Sequence, residues 1–115
     1  MAKVLVIDDE QAIRMLIVAI LEDEGHSVIQ ARDGFHGLEL LEQERPDVVI
    51  LDIMMPGIDG YETFRRIRAD PGHDDVPVIM VSAGAYQAPP NVAAFIRKLF
   101  GLMDFLGTID RVLSA

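Results

Sequence analysis

Acidic side chains follow two of the most apolar runs in this chain. Asp8 and Asp9 come directly after one run, and Asp52 comes directly after another. Carboxylates that crowd together repel one another unless a cation or a proton compensates. Hard oxygen ligands suit Mg²⁺, which typically keeps several waters and takes one or two carboxylates. If the fold brings the three acids together, they predict a magnesium site with an open position for a phosphate.

The elements that must position these acids alternate between apolar strands and amphipathic helices. The predicted strands are Val4 to Ile7, His26 to Ala31, Asp47 to Leu51, Val76 to Val81 and Phe95 to Leu99. The predicted helices are Gln11 to Glu24, a second after the turn Asp33-Gly34, a third marked by Tyr61, Phe64 and Ile67, and a last one over Gly101 to Ala115. This alternation favours an α/β fold in one domain over residues 1–115, with a doubly wound parallel five-stranded sheet and helices on both faces.

Polar side chains also end the later strands of this predicted sheet. Ser82 follows the fourth strand, and Lys98 lies near the end of the fifth. In open parallel α/β sheets, ligands bind at the carboxyl ends of the strands. The fold and the chemistry therefore predict a single site, which contains Asp8, Asp9, Asp52, Ser82 and Lys98.

The composition excludes several classes of function. The formal net charge of −9 disfavours the phosphate contacts that supply most nucleic-acid affinity, so we expect no direct nucleic-acid binding. The chain has no cysteine, which excludes thiolate metal sites and disulfide chemistry. Charged residues interrupt the apolar runs before they reach a membrane-spanning length, and the first residues do not resemble a signal peptide. We therefore expect a cytoplasmic protein that does not insert into membranes.

Four segments of the sequence resemble the receiver domains of two-component response regulators. They are Val6 to Glu10, Leu51 to Gly60, Ser82-Ala83 and Lys98, and the resemblance covers nearly the whole chain. The long motif around Asp52, in register with the acidic pair two strand–helix units earlier, is the most specific of the four. The resemblance implies a flavodoxin-like receiver fold and a signalling switch that is controlled by phosphorylation.

The resemblance also assigns a role to each acid of the predicted site. It makes Asp52 the phosphoryl acceptor, Asp9 a direct Mg²⁺ ligand, Asp8 a supporting acid and the backbone carbonyl of Met54 a further ligand. A carboxylate is already a nucleophile, so phosphoryl transfer needs mainly in-line positioning and neutralisation of the phosphoryl oxygens. No general base is required.

Three residues later in the chain, Ser82, Phe95 and Lys98, complete the implied site. The Ser82 hydroxyl and the Lys98 ammonium would neutralise phosphoryl oxygens, and Ser82 with Phe95 would form the conformational switch. An aromatic residue in a strand is as often plain core, so both interpretations of Phe95 stay open. The implied phosphoryl donor is a histidine kinase or a histidine phosphotransfer protein, and the implied output is a downstream effector protein. Such a domain promotes its own phosphorylation and dephosphorylation and is not an enzyme that turns over a substrate.

The segment between Ser82 and Lys98 departs from the family pattern. Lys98 follows Ser82 by only 16 positions, which is roughly one to two helical turns fewer than the family norm. Pro89 and Pro90 disfavour a helix there, so Gly84 to Ala94 is predicted to be irregular, with the helix between the fourth and fifth strands shortened or missing. Thin cover over the sheet would expose apolar surface and favour self-association, including a homodimer, or docking of a partner.

Two other functions fit part of the pattern. A pseudo-receiver would keep the fold as an interaction module without phosphorylation; the divergent distal half favours it, whereas the intact acids argue against it. A Mg²⁺-dependent aspartyl phosphatase of the haloacid-dehalogenase type also has a nucleophilic aspartate at a strand end, but it needs a second aspartate where this chain has Met54. The segment Asp8 to Glu10 also has a purely structural interpretation, as a cap of the first helix.

Leu99 stands where the family usually has a proline that is joined to the lysine by a cis peptide bond. A cis bond costs roughly 2.5–4 kcal/mol before leucine and about 0.5–1 kcal/mol before proline, so trans geometry and a displaced Lys98 are predicted. Leu99→Pro is expected to restore the cis bond and to raise the phosphorylation rate or the lifetime of the phosphorylated form. Phosphorylation time courses of the two proteins test this. Identical rates and lifetimes in a folded variant would mean that Lys98 is already well placed or irrelevant.

Overall fold

The computed structural model describes residues 2–83, 87–97 and 102–114. Within these ranges it contains five strands and four helices. The strands are β1 (Lys3–Ile7), β2 (Ser27–Ala31), β3 (Val48–Asp52), β4 (Val78–Ser82) and β5 (Ala94–Arg97). The helices are α1 (Gln11–Asp23), α2 (Gly34–Glu44), α3 (Gly60–Ala69) and α4 (Leu102–Ser114). Each of these elements was predicted from the sequence, and where bounds were predicted they differ by at most two residues at the ends that the structure describes.

The strands form one sheet in the order β2-β1-β3-β4-β5, and every neighbouring pair is parallel. The register places Ile7 beside Leu51 and Asp52 beside Val81, so the carboxyl ends of β1, β3 and β4 lie next to one another. The strand order reverses direction between β1 and β3, which is the point where ligands bind in doubly wound sheets. The predicted fold, a doubly wound flavodoxin-like sheet, is confirmed.

Each face of the sheet is covered by a separate apolar core. One core joins α1 and α4 to the sheet, and the other joins α2 and α3 to it. Central strands that are buried on both faces read as continuous apolar runs, and every residue of β3 and β4 is buried. The helix residues of the cores include Ile17, Leu21, Phe105 and Ile109 in the first, and Leu41, Phe64 and Ile67 in the second.

Two of the helices begin at aspartates that the sequence places in turn segments. The side chain of Asp33 accepts a hydrogen bond of 2.8 Å from the backbone N–H of His36 at the start of α2. Asp59 accepts one of 2.9 Å from the N–H of Glu62 at the start of α3. Such caps satisfy N–H groups that have no partner within the helix. Glu10, which precedes α1, makes no side-chain cap hydrogen bond, so the purely structural interpretation of the first acidic segment gains no support there.

The connection from β4 to β5 contains neither helix nor strand over the described residues 87–93. This agrees with the predicted loss of a helix between the two strands. Ala94, which was predicted to belong to the irregular segment, is instead the first residue of β5. The predictions for residues 84–86 and for Lys98 and Leu99, including the trans bond between the last two, concern residues outside the described ranges.

Side chains of α3 bind the backbone of this connection. The hydroxyl of Tyr61 donates to the carbonyl of Gln87 at 2.8 Å, and a guanidinium nitrogen of Arg68 donates to the carbonyl of Asn91 at 3.1 Å. In a helix those carbonyls would accept from amides four residues later, so the α3 side chains replace part of the missing helical hydrogen bonding. Partial burial of the Arg68 guanidinium lowers the pKa of that group below its usual value.

The sequence predicts exposed apolar surface where the sheet is thinly covered after β4, and part of this region lies within the described residues. Val92 of the segment predicted to be irregular is half-buried, as is Phe95 of β5, and both pack against the core beneath α2 and α3. Among the residues that the structure describes, the exposed large apolar side chains are those of Met15, Leu16, Phe35 and Met54. Val92 is therefore the residue through which the described part of the β4–β5 connection packs on this face of the sheet.

Gly60 provides a test of how tightly the loop after β3 is packed. Its N–H donates to the carbonyl of Ile53 at 2.7 Å, and a Cβ placed on Gly60 would lie 2.6 Å from the Cα of Ile53 and closer still to the carbonyl oxygen of Asp52. Because backbone cannot move aside as a flexible side chain can, Gly60→Ala is expected to lower the free energy of unfolding by about 1–3 kcal/mol.

Gly107→Ala is the matched control, because a Cβ there meets nothing within 4 Å. Ala has a higher helix propensity than Gly, so this change within α4 is expected to raise the free energy of unfolding by about 1 kcal/mol. Urea unfolding of both variants measures the two effects. If Gly60→Ala were neutral or stabilising, the close backbone approach at the start of α3 would be wrong.

Candidate functional site

Three polar side chains are buried side by side at the carboxyl edge of the sheet. Asp8 directly follows β1, while Asp52 and Ser82 are the last residues of β3 and β4. Their exposed fractions are 2% for Asp8, 2% for Asp52 and 1% for Ser82. Parallel pairing of adjacent strands brings them together, as predicted from the order of apolar runs and acids.

Two of these residues belong to a group of three carboxylates. Oxygen atoms of Asp8, Glu10 and Asp52 all lie within 4.8 Å of one another. Burial of ionised carboxylates is costly unless they are paired or coordinate a cation. The donor set consists of hard oxygen atoms only, so it fits Mg²⁺ better than a soft or borderline ion.

Backbone hydrogen bonds fix the turn that carries Asp8. Its N–H donates to the carbonyl of Ala31 at 3.1 Å, and its own carbonyl accepts a bond of 2.7 Å from the guanidinium of Arg14. The same guanidinium reaches the side-chain oxygen of Gln30 at 3.1 Å. Residues of α1 and β2 therefore hold the backbone of Asp8 in place.

The side chain of Asp8 explains how Glu10 enters the site. One carboxylate oxygen of Asp8 accepts a 2.9 Å hydrogen bond from the backbone N–H of Glu10, two residues later. Aspartates commonly form turns of this kind, and here the turn carries Glu10 towards Asp52. Glu10 was not among the predicted metal ligands, although its two-residue spacing from Asp8 was the available signal.

The loop after Asp52 is anchored at both ends. The N–H of Ile53 donates to the carbonyl of Val81 at 3.1 Å, and the carbonyl of Ile53 accepts from Gly60. Gly57 has a φ of +80°, a left-handed conformation that glycine adopts without a steric penalty. The side chain of Met54 points outwards and is 59% exposed, so it leaves only its backbone to serve the predicted site.

The other predicted site residues are Asp9, Phe95 and Lys98, and the structure describes the first two of them. Asp9 is exposed and is not a member of the carboxylate group that contains Asp8. Phe95 is half-buried in β5 and packs against the core beneath α2 and α3, a position that suits both interpretations offered for it. Lys98 lies outside the described residues.

No helix in the described part of the chain is long and apolar enough to cross a membrane. This agrees with the apolar runs of the sequence, which charged residues interrupt.

Comparisons with known proteins identify the family to which this arrangement belongs. The sequence model of the family described as "Response regulator receiver domain" matches residues 4–106. The chain is 45% identical over 83 residues to the transcriptional regulatory protein AfsQ1 of Streptomyces coelicolor, a match that covers 72% of this chain and 36% of AfsQ1. It is 40% identical over 82 residues to the protein PilH of Pseudomonas aeruginosa, which covers 71% of this chain and 68% of PilH. The match with AfsQ1 thus spans about a third of that longer relative.

A solved structure agrees with the fold over almost the whole chain. The response regulator protein TrrA of Thermotoga maritima, solved in complex with Mg²⁺-BeF, superposes with a TM-score of 0.89 at 30% identity. The superposition covers 97% of this chain and 99% of TrrA. The similarity therefore includes the edge of the sheet where Asp8, Asp52 and Ser82 lie.

Proposed function

The chain belongs to the family of response regulator receiver domains, and from that premise we propose that Asp52 accepts a phosphoryl group in a Mg²⁺-dependent reaction. The observation that carries the proposal is the burial of Asp52 beside Asp8 and Glu10 at the switch point of the sheet. Support also comes from TrrA, a solved relative that holds Mg²⁺-BeF.

The proposed reaction uses the Asp52 carboxylate as the nucleophile. It needs no base, because the carboxylate is already deprotonated in its working form. A bond from an Asp52 oxygen to phosphorus forms as the phosphorus–nitrogen bond of the donor's phosphohistidine breaks, and the imidazole leaves with the bonding electrons. With acetyl phosphate as donor, a phosphorus–oxygen bond breaks instead and acetate leaves. Mg²⁺, when bound, supplies the positive charge that balances the acids and the phosphoryl oxygens. We assign its direct protein ligands to Asp52, Asp9 and the carbonyl of Met54, with Asp8 as a supporting acid.

Ser82, Phe95 and Lys98 complete the proposal. The hydroxyl of Ser82, at the end of β4, is a hydrogen-bond donor for a phosphoryl oxygen, and the ammonium of Lys98 is the second positive charge. Ser82 and Phe95 form the proposed switch. When the Ser82 hydroxyl turns towards a phosphoryl group, it vacates the space that it occupied before. The half-buried ring of Phe95 can respond to this by a change of rotamer. Neighbouring strands carry the two residues, so a rearrangement at one can be transmitted to the other.

The proposal also names partners and a place of action. The phosphoryl donor is a histidine kinase or a histidine phosphotransfer protein, and the signal passes to a downstream effector protein by protein–protein interaction. We place the protein in the cytoplasm, without direct nucleic-acid contact, and include a homodimer among its assemblies. In this proposal the chain promotes its own phosphorylation and dephosphorylation and has no other catalytic activity.

Incubation with acetyl phosphate, followed by measurement of the intact mass, tests the acceptor. One phosphoryl adduct is expected with Mg²⁺ and none without it, and Asp52→Asn is expected to abolish the adduct because an amide is not a carboxylate nucleophile. Asp23→Asn, an exposed substitution at the end of α1, is the matched control and should keep the adduct. An unchanged adduct in Asp52→Asn would refute the assignment. Absence of any adduct from the unsubstituted chain would favour the pseudo-receiver alternative.

Titration with Mg²⁺ tests the roles assigned to the acidic pair. Asp9→Ala is expected to weaken Mg²⁺ binding about tenfold or more, a loss of about 1.4 kcal/mol, because it removes a direct ligand. Asp8→Ala is expected to have a smaller effect, because the proposal gives Asp8 a supporting position. Equal effects, or a larger effect of Asp8→Ala, would contradict this ranking and favour the three carboxylates of Asp8, Glu10 and Asp52 as the ligand set.

A further inference from the structure

A second group of ligating side chains lies where α2 and α3 end. Glu42 is in the last turn of α2, Asp70 is the residue that caps the end of α3, and His73 follows in the connection to β4. One ligand atom from each of the three lies within 4.8 Å of the other two. The imidazole Nε2 of His73 is 2.9 Å from a carboxylate oxygen of Glu42.

The imidazole is held in a fixed place, whereas the two carboxylates face solvent. His73 is only 5% exposed, and its backbone N–H donates to the backbone carbonyl of Asp70 at 2.9 Å. A carboxylate oxygen of Asp70 accepts a 2.9 Å bond from the N–H of Gly72, which tightens the same turn. Glu42 and Asp70 are exposed, so an ion has a path to the buried nitrogen. A ligand that is already ordered loses little conformational entropy when it binds.

From this geometry we infer that Glu42, Asp70 and His73 form a second cation site, which binds a divalent transition-metal ion of the Zn²⁺ type. One imidazole nitrogen with two carboxylates is a donor set that Zn²⁺ accepts, with a remaining position for water. Imidazole shifts the preference of a site away from Mg²⁺ and towards Zn²⁺, Ni²⁺ or Cu²⁺. The group of Asp8, Glu10 and Asp52 has oxygen donors only, so the two sites differ in the ions that they select.

The surroundings favour a positive charge at this second site. The ends of α2 and α3 present backbone carbonyls and the negative ends of their dipoles, which stabilise nearby cations. Arg45 competes weakly, because its guanidinium lies 3.8 Å from the second oxygen of Glu42 and both side chains are largely exposed. The guanidinium of Arg68 is a second nearby cation, and one of its nitrogens donates to the backbone carbonyl of His73 at 3.4 Å.

The topology separates this site from the proposed phosphoryl acceptor. Parallel strands carry Asp8 and Asp52 at their carboxyl ends, whereas the connecting helices run back and end at the amino edge of the sheet, where Glu42 and His73 lie. A bound ion would join α2 to the α3–β4 connection across the face of the sheet. The site therefore does not depend on whether Asp52 is phosphorylated.

Calorimetric titration with Zn²⁺, in excess Mg²⁺, tests the inference on the full chain. We expect one Zn²⁺ site that persists in Asp52→Asn and that is weakened at least tenfold in Glu42→Gln and in His73→Gln. Thermal unfolding should also shift upwards with Zn²⁺ in the unsubstituted chain, because an ion that binds only the folded state stabilises it. Glu42 is exposed, so Glu42→Gln keeps the test valid even if His73→Gln fails to fold.

Glu39→Gln is the matched control, because Glu39 is exposed on α2 one turn before Glu42 and is not a member of the group. It should bind Zn²⁺ with unchanged affinity. Equal affinities of the unsubstituted chain and Glu42→Gln would overturn the inference. So would the absence of any Zn²⁺ site, or a site lost only in Asp52→Asn, since the ion would then sit among the acids of the carboxyl edge.

Discussion

Parallel hydrogen bonding of β3 between β1 and β4 is the constraint on which the rest of the structure depends. It aligns three strand ends, and each end carries a polar residue that is buried almost completely: Asp8, Asp52 and Ser82. The apolar residues that precede them are buried on both faces of the sheet, so the strands cannot slide without exposing core. The same register that stabilises the fold therefore concentrates negative charge at one edge, where a cation can bind.

Tight backbone packing converts this alignment into a site of fixed shape. Gly60 begins α3 so close to the backbone of Asp52 and Ile53 that a Cβ at this position would clash with both. Asp59 caps the same helix, and Arg14 ties the backbone of Asp8 to α1. These contacts fix the loops after β1 and β3, so that Asp8 and the proposed acceptor Asp52 keep their spacing. A site that positions a phosphoryl group gains most from order of this kind.

The connection from β4 to the edge strand β5 is held by side chains of α3. Where a helix would link β4 to β5, residues 87–93 form an irregular connection whose carbonyls accept hydrogen bonds from Tyr61 and Arg68 of α3. Val92 and Phe95 fold onto the core beneath α2 and α3 and stay half-buried. The movement of Phe95 in the proposed switch is therefore coupled to α3 and to this connection instead of to a separate helix.

The sequence by itself determined the strands, the helices and the edge of the sheet where the acids meet. Apolar periodicity and turn residues are local signals, and strand-ending acids such as Asp52 must gather at one edge of any parallel sheet. The absence of a helix over the described residues 87–93 was also predictable from local sequence, because Pro89 and Pro90 disfavour a helix and the segment is short. Only the tertiary structure decided that Glu10 joins Asp8 and Asp52 while Asp9 faces solvent, because the direction of each side chain depends on the hydrogen bonding of the turn. It also decided that His73 meets Glu42, since residues 31 positions apart come together only when two helices end beside each other on the same sheet.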